Sequence, residues 1–401
     1  MTPSIEQGSR RYHRANLALF IAGFVAFVTL YDVQPLLPLF SREFNVSPAI
    51  GSLPLSISTW TLAVAMLIAG TVSETTGRKP LISIALILTS IMALLTYFCH
   101  SFGSLLAIRF LQGLVLAGVP SVAMAYLGEE MDSRAINSAI GIYISGNAVG
   151  GMTGRISSAI ISDYLPWRSG IALIGGLTLI LAILFVFTLP APARFVKRPF
   201  KAGYLLTSLM IHLKDPAMLL IFSIAFLSMG GFITLYNYIT FRLLAPPYSL
   251  SQSSISMIFL VYFTGSLSSS FMGRLLQRFG RTFMLRLSIA SMILGTLVTL
   301  SASLIWIITG IGLFTCGFFG AHAIASGWVG KRATTARAQA TSLYLFAYYQ
   351  GSSISGTLGG VFWVKWGWSG ITCIIISLLC LSLAAAETVR NLETRSIQGM
   401  G

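Results

Sequence analysis

Hydrophobic residues in this chain run in blocks too long for the helices of a soluble domain. Stretches lacking Asp, Glu, Lys and Arg fill residues 44–73, 80–108, 110–128, 135–154, 169–193, 216–241, 243–273, 287–330, 338–364 and 366–386. A bilayer core about 30 Å thick is crossed by roughly 20 apolar residues in a helix. The block 287–330 exceeds one crossing, and Ser301-Ala302-Ser303 supplies a natural break within it. With a first span over residues 15–40, the pattern predicts 12 transmembrane helices. An even number places both termini on one side.

The polar interruptions repeat. In Gly70-Thr71-Val72-Ser73-Glu74-Thr75-Thr76-Gly77-Arg78-Lys79, the residues Gly70, Gly77 and Arg78 map onto Gly273, Gly280 and Arg281 at a constant offset of 203, half the 401 residues. Arg278 belongs to the second copy, with Gln277 in the place of an acid. Internal duplication explains this, with the repeated turn on the same membrane face in both halves. The expected division is a six-helix bundle over 1–190, a connecting loop over 191–215 and a second six-helix bundle over 216–401. The connection holds Pro192, Arg194, Lys197, Arg198, Pro199, Lys201 and Lys214. Its 205–213 stretch is fit to lie along a membrane surface.

Composition agrees, because 55% of residues are apolar and 9% charged, against about 25% charged in soluble domains. The fold class is an all-α membrane protein. With the termini inside, 20 Lys and Arg fall on the cytoplasmic side and only Arg42, Arg168, Arg242 and Lys365 outside, which sets the orientation by the positive-inside rule. The net charge of +15 is therefore a topological signal and an attraction to anionic lipid heads, not a nucleic-acid surface. The Ser9-Arg10-Arg11 start looks like a twin-arginine or secretory signal, but no small-residue cleavage site follows and eleven more spans do. Cys99, Cys316, Cys373 and Cys380 lack metal-ligand spacing and read as small apolar residues. No metal or cofactor is expected.

Candidate chemistry lies where polar groups enter the spans. Asp32, in Leu30-Tyr31-Asp32-Val33-Gln34-Pro35, is the one acid well inside a predicted span. A charge there costs at least about 2.5 to 3.5 kcal/mol, so it is either neutralised for structural reasons or functional. Asp32 and Arg109 lie at similar distances from the outer ends of the first and fourth spans, so they can meet, or Arg109 can snorkel to the surface. Gln34 and Gln112 accompany them. In the fifth span Gly146, Gly150 and Gly154 line one face for close helix approach, beside Asn147, and Arg155 either snorkels or faces a cavity. The second half offers Tyr236, Asn237, His322, Tyr344 and Tyr348, of which Tyr344 and Tyr348 share a helix face. Core packing is the alternative for these, although buried Asn237 and His322 need partners.

The repeated frame resembles Gly-x-x-x-Asp-Arg-x-Gly-Arg-Lys, the loop signature of the major facilitator superfamily, with Glu74 for its aspartate and Thr75 for its arginine. Arg109-Phe110-Leu111-Gln112-Gly113 resembles a fourth-helix motif of proton-coupled exporters. The glycine-rich fifth span resembles an antiporter motif, with Asn147 where that motif has proline. The chain is similar to the family's drug-exporter branch over essentially its whole length. The resemblance implies alternating access by two bundles about a central site lined by spans one, four, seven and ten; from the residues themselves, Asp32 with Arg109 beside it is the expected proton-coupling pair. The residues expected to line a cavity or touch substrate are Gln34, Gln112, Asn147, Arg155, Tyr236, Asn237, His322, Tyr344 and Tyr348. The loops of Gly70, Glu74, Gly77, Arg78, Gly273, Arg278, Gly280 and Arg281 act as a cytoplasmic latch in that scheme. It implies a monomer in a bacterial inner membrane, embedded in lipid and exporting small organic compounds, or facilitating sugar, metabolite or lipid export without protons. An enzyme or ATP-driven pump is disfavoured, since the chain has no Gly-x-x-x-x-Gly-Lys-Ser/Thr loop and no recurring hydrolytic cluster.

Overall fold

The computed structural model describes residues 4–197 and 202–398, so Arg198, Pro199 and Lys201 of the basic connection lie outside the described residues. Twelve membrane helices follow one another: α1 (Arg10–Glu43), α2 (Leu53–Thr76), α3 (Arg78–Phe98), α4 (Phe102–Glu130), α5 (Ile136–Tyr164) and α6 (Trp167–Thr188). The second half has α7 (Pro216–Leu244), α8 (Tyr262–Phe279), α9 (Arg281–Val298), α10 (Leu304–Arg332), α11 (337–366) and α12 (368–398). Helix Ala202–Leu213 precedes α7. Among the described residues, nine segments are long and apolar enough to cross a bilayer, and one of them, Arg337–Glu393, contains both α11 and α12. The two remaining spans, α5 and α8, are rich in Gly, Ser and Thr.

The breaks have local causes. Pro35 cannot donate a backbone N–H, and α1 tightens into a 3-10 turn over Gln34–Leu36 before resuming as Leu37–Glu43. Pro120 likewise restarts α4 after a turn at 117–119. Gly77 (φ 99°) and Gly280 (φ 77°) each form the single-residue turn between consecutive helices. Those angles are strained for residues with a Cβ, which is why the repeat keeps glycine there. Side-chain caps start other helices: Ser9 on the Tyr12 N–H, Ser101 on the Ser104 N–H, and Asp215 on the Ala217 and Met218 N–H groups.

The chain forms two compact units. Residues to Phe40 join Ile57–Lys201 in the first, and Ser41–Ser56 joins the second with the chain from Ala202. In the first, α5 lies on α1 so closely that a Cβ on Gly146, Gly150 or Gly154 would come within 2.3 to 2.5 Å of the Phe20, Phe24 or Val28 carbonyl oxygen. In the second, α11 lies on α7 the same way, with Gly351 against the Phe226 carbonyl and Ser355 against Gly230. Ser353 and Thr357 of α11 also donate to the Ser56 carbonyl (2.7 Å) and Ser56 Oγ (2.8 Å). Large apolar side chains such as Phe187, Ile180, Ile305 and Val364 point outward while Asp32, Gln34, Arg109 and Asn237 are buried, the arrangement of a protein solvated by lipid.

Candidate functional site

The break in α1 creates the first polar cluster. Where the helix Arg10–Tyr31 ends, its last carbonyls lose their intrahelical donors. The Asp32 N–H takes Val28 O at 3.0 Å. Arg109, reaching from α4, takes the next two, Nη1 donating to Thr29 O (2.9 Å) and Nη2 to Leu30 O (2.7 Å). The same Nη1 donates to Asp32 Oδ1 at 3.2 Å and to Gln112 Oε1 at 2.7 Å. Gln112 in turn donates to Thr89 O of α3 at 3.3 Å. Asp32 is fully buried and Arg109 is 1% exposed, so Arg109 does not snorkel. Asp32 Oδ2 accepts no hydrogen bond among the described residues. The guanidinium is thus a helix cap and an ion-pair partner at once.

Arg155 is also drawn inward. Its Nε donates to Gln34 Oε1 (2.5 Å), its Nη1 to Gly151 O (2.8 Å), and its guanidinium lies 3.9 Å over the Tyr31 ring. One short stretch of α1, Tyr31 to Gln34, therefore faces two buried cations. Asn147 sits against Gly23 of α1, and α5 runs unbroken through it, as expected of a residue that keeps its N–H.

In the second unit, Tyr344 OH lies 2.9 Å from His322 Nδ1, and the His322 ring is flanked by Tyr348 at 4.9 Å and Phe318 at 6.1 Å. Phe318 stacks on Phe232 at 3.9 Å. Tyr236 pairs its hydroxyl with Thr315 Oγ1 at 2.7 Å, and its ring lies 4.9 Å from that of Phe232. Asn237 is buried near Gly356. The sequence reading missed Tyr31, Phe232 and Phe318, because an aromatic in an apolar span carries no local mark of what it faces.

At the repeated turn, Arg78 grips Glu129 at the end of α4 through Nε (3.2 Å) and Nη2 (2.6 Å), and its Nη1 reaches Gly70 O (3.2 Å) and Ser73 Oγ. Glu74, the acid of the frame itself, makes no such contact among the described residues. In the second copy Arg281 stacks on Trp328 (4.7 Å) and Arg278 on Phe279 (5.2 Å), and Gly273 lies within α8. The carboxylates of this unit gather instead on Arg332, which holds Asp215 at 2.6 Å and Glu393 at 3.8 Å. No group of metal-ligating side chains occurs among the described residues.

Against known proteins, the family profile of the Major Facilitator Superfamily matches residues 19–321. The chain is 45% identical over 400 residues to the MFS-type transporter YybF of Bacillus subtilis (strain 168), covering 99% of each. It is 43% identical over 379 residues to the inner membrane transport protein YnfM of Escherichia coli (strain K12), covering 94% of this chain and 91% of that one. Its fold is similar to the crystal structure of the nucleoside transporter NupG, with a TM-score of 0.75 at 15% identity over 94% of this chain and 99% of that one.

Proposed function

The chain belongs to the Major Facilitator Superfamily, and from that footing we propose that it is a secondary active transporter that exports small organic compounds in exchange for protons. The observation that carries this reading is the buried Asp32–Arg109 pair. Asp32 has one oxygen on Arg109 and one buried oxygen that accepts no hydrogen bond among the described residues, so a proton has a place to bind without displacing an existing contact. Arg109 keeps Thr29 O, Leu30 O and Gln112 Oε1 when Asp32 is neutral, so neutralising the acid does not strand the cation. Removing one member of a buried pair is ordinarily costly for that reason. Here the cost is blunted, and the pair is suited to repeated protonation.

One proton crossing about 150 mV supplies roughly 3.5 kcal/mol, enough to sustain a gradient of a few hundred-fold. In this reading the first unit offers Gln34, Gln112, Asn147 and Arg155 as polar contacts for substrate. The second offers Tyr236, Asn237 and the aromatic group of His322, Tyr344 and Tyr348, which suits flat or amphipathic compounds. The turn of Gly70, Glu74, Gly77 and Arg78, with its counterpart at Gly273, Arg278, Gly280 and Arg281, acts as the conformational latch. The protein works as a monomer in a bacterial inner membrane with both termini cytoplasmic, the orientation favoured by its Lys and Arg distribution.

A facilitator without proton coupling is the second reading, favoured by the capping of Thr29 and Leu30, which gives Arg109 a structural reason to be present. Everted vesicles with an imposed pH gradient and a pH-sensitive dye separate the two. Cationic drugs, anions and sugars are added in turn to wild type and Asp32→Asn. Proton exchange predicts that some compound collapses the gradient with wild type and not with Asp32→Asn. Labelled solute crossing in both variants with no proton movement would establish the facilitator instead.

A further inference from the structure

We propose that the first unit carries a binding site for one anionic glycerophospholipid, in a cavity between the start of α3 and the chain leaving α6. The cavity has a volume of about 570 Å³, and Lys79, Pro80, Ser83, Ile84, Val186 and Phe195 are among the residues that line it. Three observations define its occupant.

The first is charge. The Lys79 ammonium donates to Leu189 O at 2.6 Å, and Arg14 donates to Phe187 O at 2.9 Å. Each caps a carbonyl at the end of α6, and each keeps further N–H donors for an anion. The second is a polar group inside the apolar wall. Ser83 follows Lys79 by one helical turn and shares its face. It is 9% exposed, it lines the cavity, and its Oγ has no hydrogen-bond partner among the described residues. A buried hydroxyl left that way is costly, and an ester or phosphate oxygen would satisfy it.

The third observation is the surround. Ile84 (53% exposed), Val186, Ala191 and Phe195 give the cavity apolar walls, and Phe187 (74%) and Val196 (71%), their chain neighbours, are apolar and exposed, as expected where acyl chains meet the protein. Free phosphate would satisfy the charges and leave those walls uncovered, whereas a lipid supplies a phosphate for Lys79 and Arg14 and a chain for Ile84 and Val186. The far wall is held by Arg78, whose guanidinium lies 5.6 Å over Phe195, and by the Arg194 N–H on Glu130 Oε1 at 2.7 Å. A lipid here therefore abuts the turn at Gly77. Under the orientation proposed above the site faces the cytoplasmic leaflet, and it does not depend on what the protein transports.

Native mass spectrometry of the full chain in detergent tests this, titrating phosphatidylglycerol, phosphatidylethanolamine or inorganic phosphate. Wild type is expected to hold one phosphatidylglycerol in preference to phosphatidylethanolamine. Lys79→Gln should weaken it about fivefold, the worth of one basic residue at an anionic lipid head. Ser83→Leu fills the cavity and should abolish that adduct, and Lys79→Gln, a change of charge at a helix end, keeps the test valid if Ser83→Leu misfolds. Equal binding of the two lipids, wild-type affinity in both variants, or loss of the lipid to millimolar phosphate alone would each overturn the proposal.

Discussion

Leu30 and Arg109 lie more than seventy positions apart in the chain, yet the end of one helix explains the arginine of another. The helix Arg10–Tyr31 stops before Val33 and Gln34 can donate to Thr29 O and Leu30 O, so these carbonyls need other donors, and a guanidinium with five N–H groups provides them while holding Asp32. Arg109→Gln removes these donors and leaves an unpaired buried carboxylate, so the variant should lose about 3 to 5 kcal/mol of stability. A fall in the melting temperature of detergent-solubilised protein checks this, and the double variant Arg109→Gln with Asp32→Asn should recover part of the loss. An unchanged midpoint in the single variant would show that the pair holds nothing together. The sequence marked both residues as candidates and left two destinations open for Arg109 and Arg155. Only the position of α1 beside α4 and α5 decides that both cations turn inward.

Among the elements, the helix pairs α1 with α5 and α7 with α11 are one design used twice. Small residues four apart on α5 and α11 let the backbones approach until no side chain fits between them. A Cβ at Gly150 would lie 2.3 Å from the Phe24 carbonyl oxygen, whereas one at Gly141 on the same helix meets nothing within 4 Å. Gly150→Leu should therefore destabilise the first unit by at least the 1 to 3 kcal/mol typical of overpacking, and Gly141→Leu should leave it nearly unchanged. The comparison of melting temperatures is internal to one helix, so equal effects would show that the contact does not carry the packing. The spacing of these glycines was legible in the sequence. Which helix they meet was not, since every span has an equally apolar surface to offer.

Across the whole molecule, the two halves keep their helices and diverge in their charges. The 203-residue offset that relates the turns carries Glu129, the partner of Arg78, onto Arg332. With an arginine in the acid's place, Arg281 turns to Trp328, and Arg332 takes its carboxylates from Asp215, just before α7, and from Glu393 of α12. Burial alone would raise the Asp215 carboxyl. The hydrogen bond and charge of Arg332, with the Ala217 and Met218 N–H groups, outweigh it and hold the group below its ordinary 3.8. A carboxyl depressed in the folded state contributes stability above its unfolded value and loses it as pH falls through the folded one. Wild type should thus exceed Asp215→Asn in stability at pH 7, by under about 1 kcal/mol for a partly exposed pair. The gap should close only below pH 3.8, because asparagine can still cap α7. Melting curves of both proteins across that range check it, and a gap that closes near neutrality would assign the pair no such role.

The amino-acid sequence alone determined the number of spans, the break at residues 301–303, the internal repeat and the family, because each rests on local quantities. Block length answers to bilayer thickness, and a glycine frame answers to the backbone angle of a single turn. The tertiary structure alone decided that Arg78 meets Glu129, that Arg109 and Arg155 are buried against the broken end of α1, and that His322 lies between Tyr344, Tyr348 and Phe318. Those partnerships depend on which helix faces approach one another. Hydropathy is nearly the same around every span in lipid, so it carries no record of that choice, and the small residues that permit close approach do not name their partner.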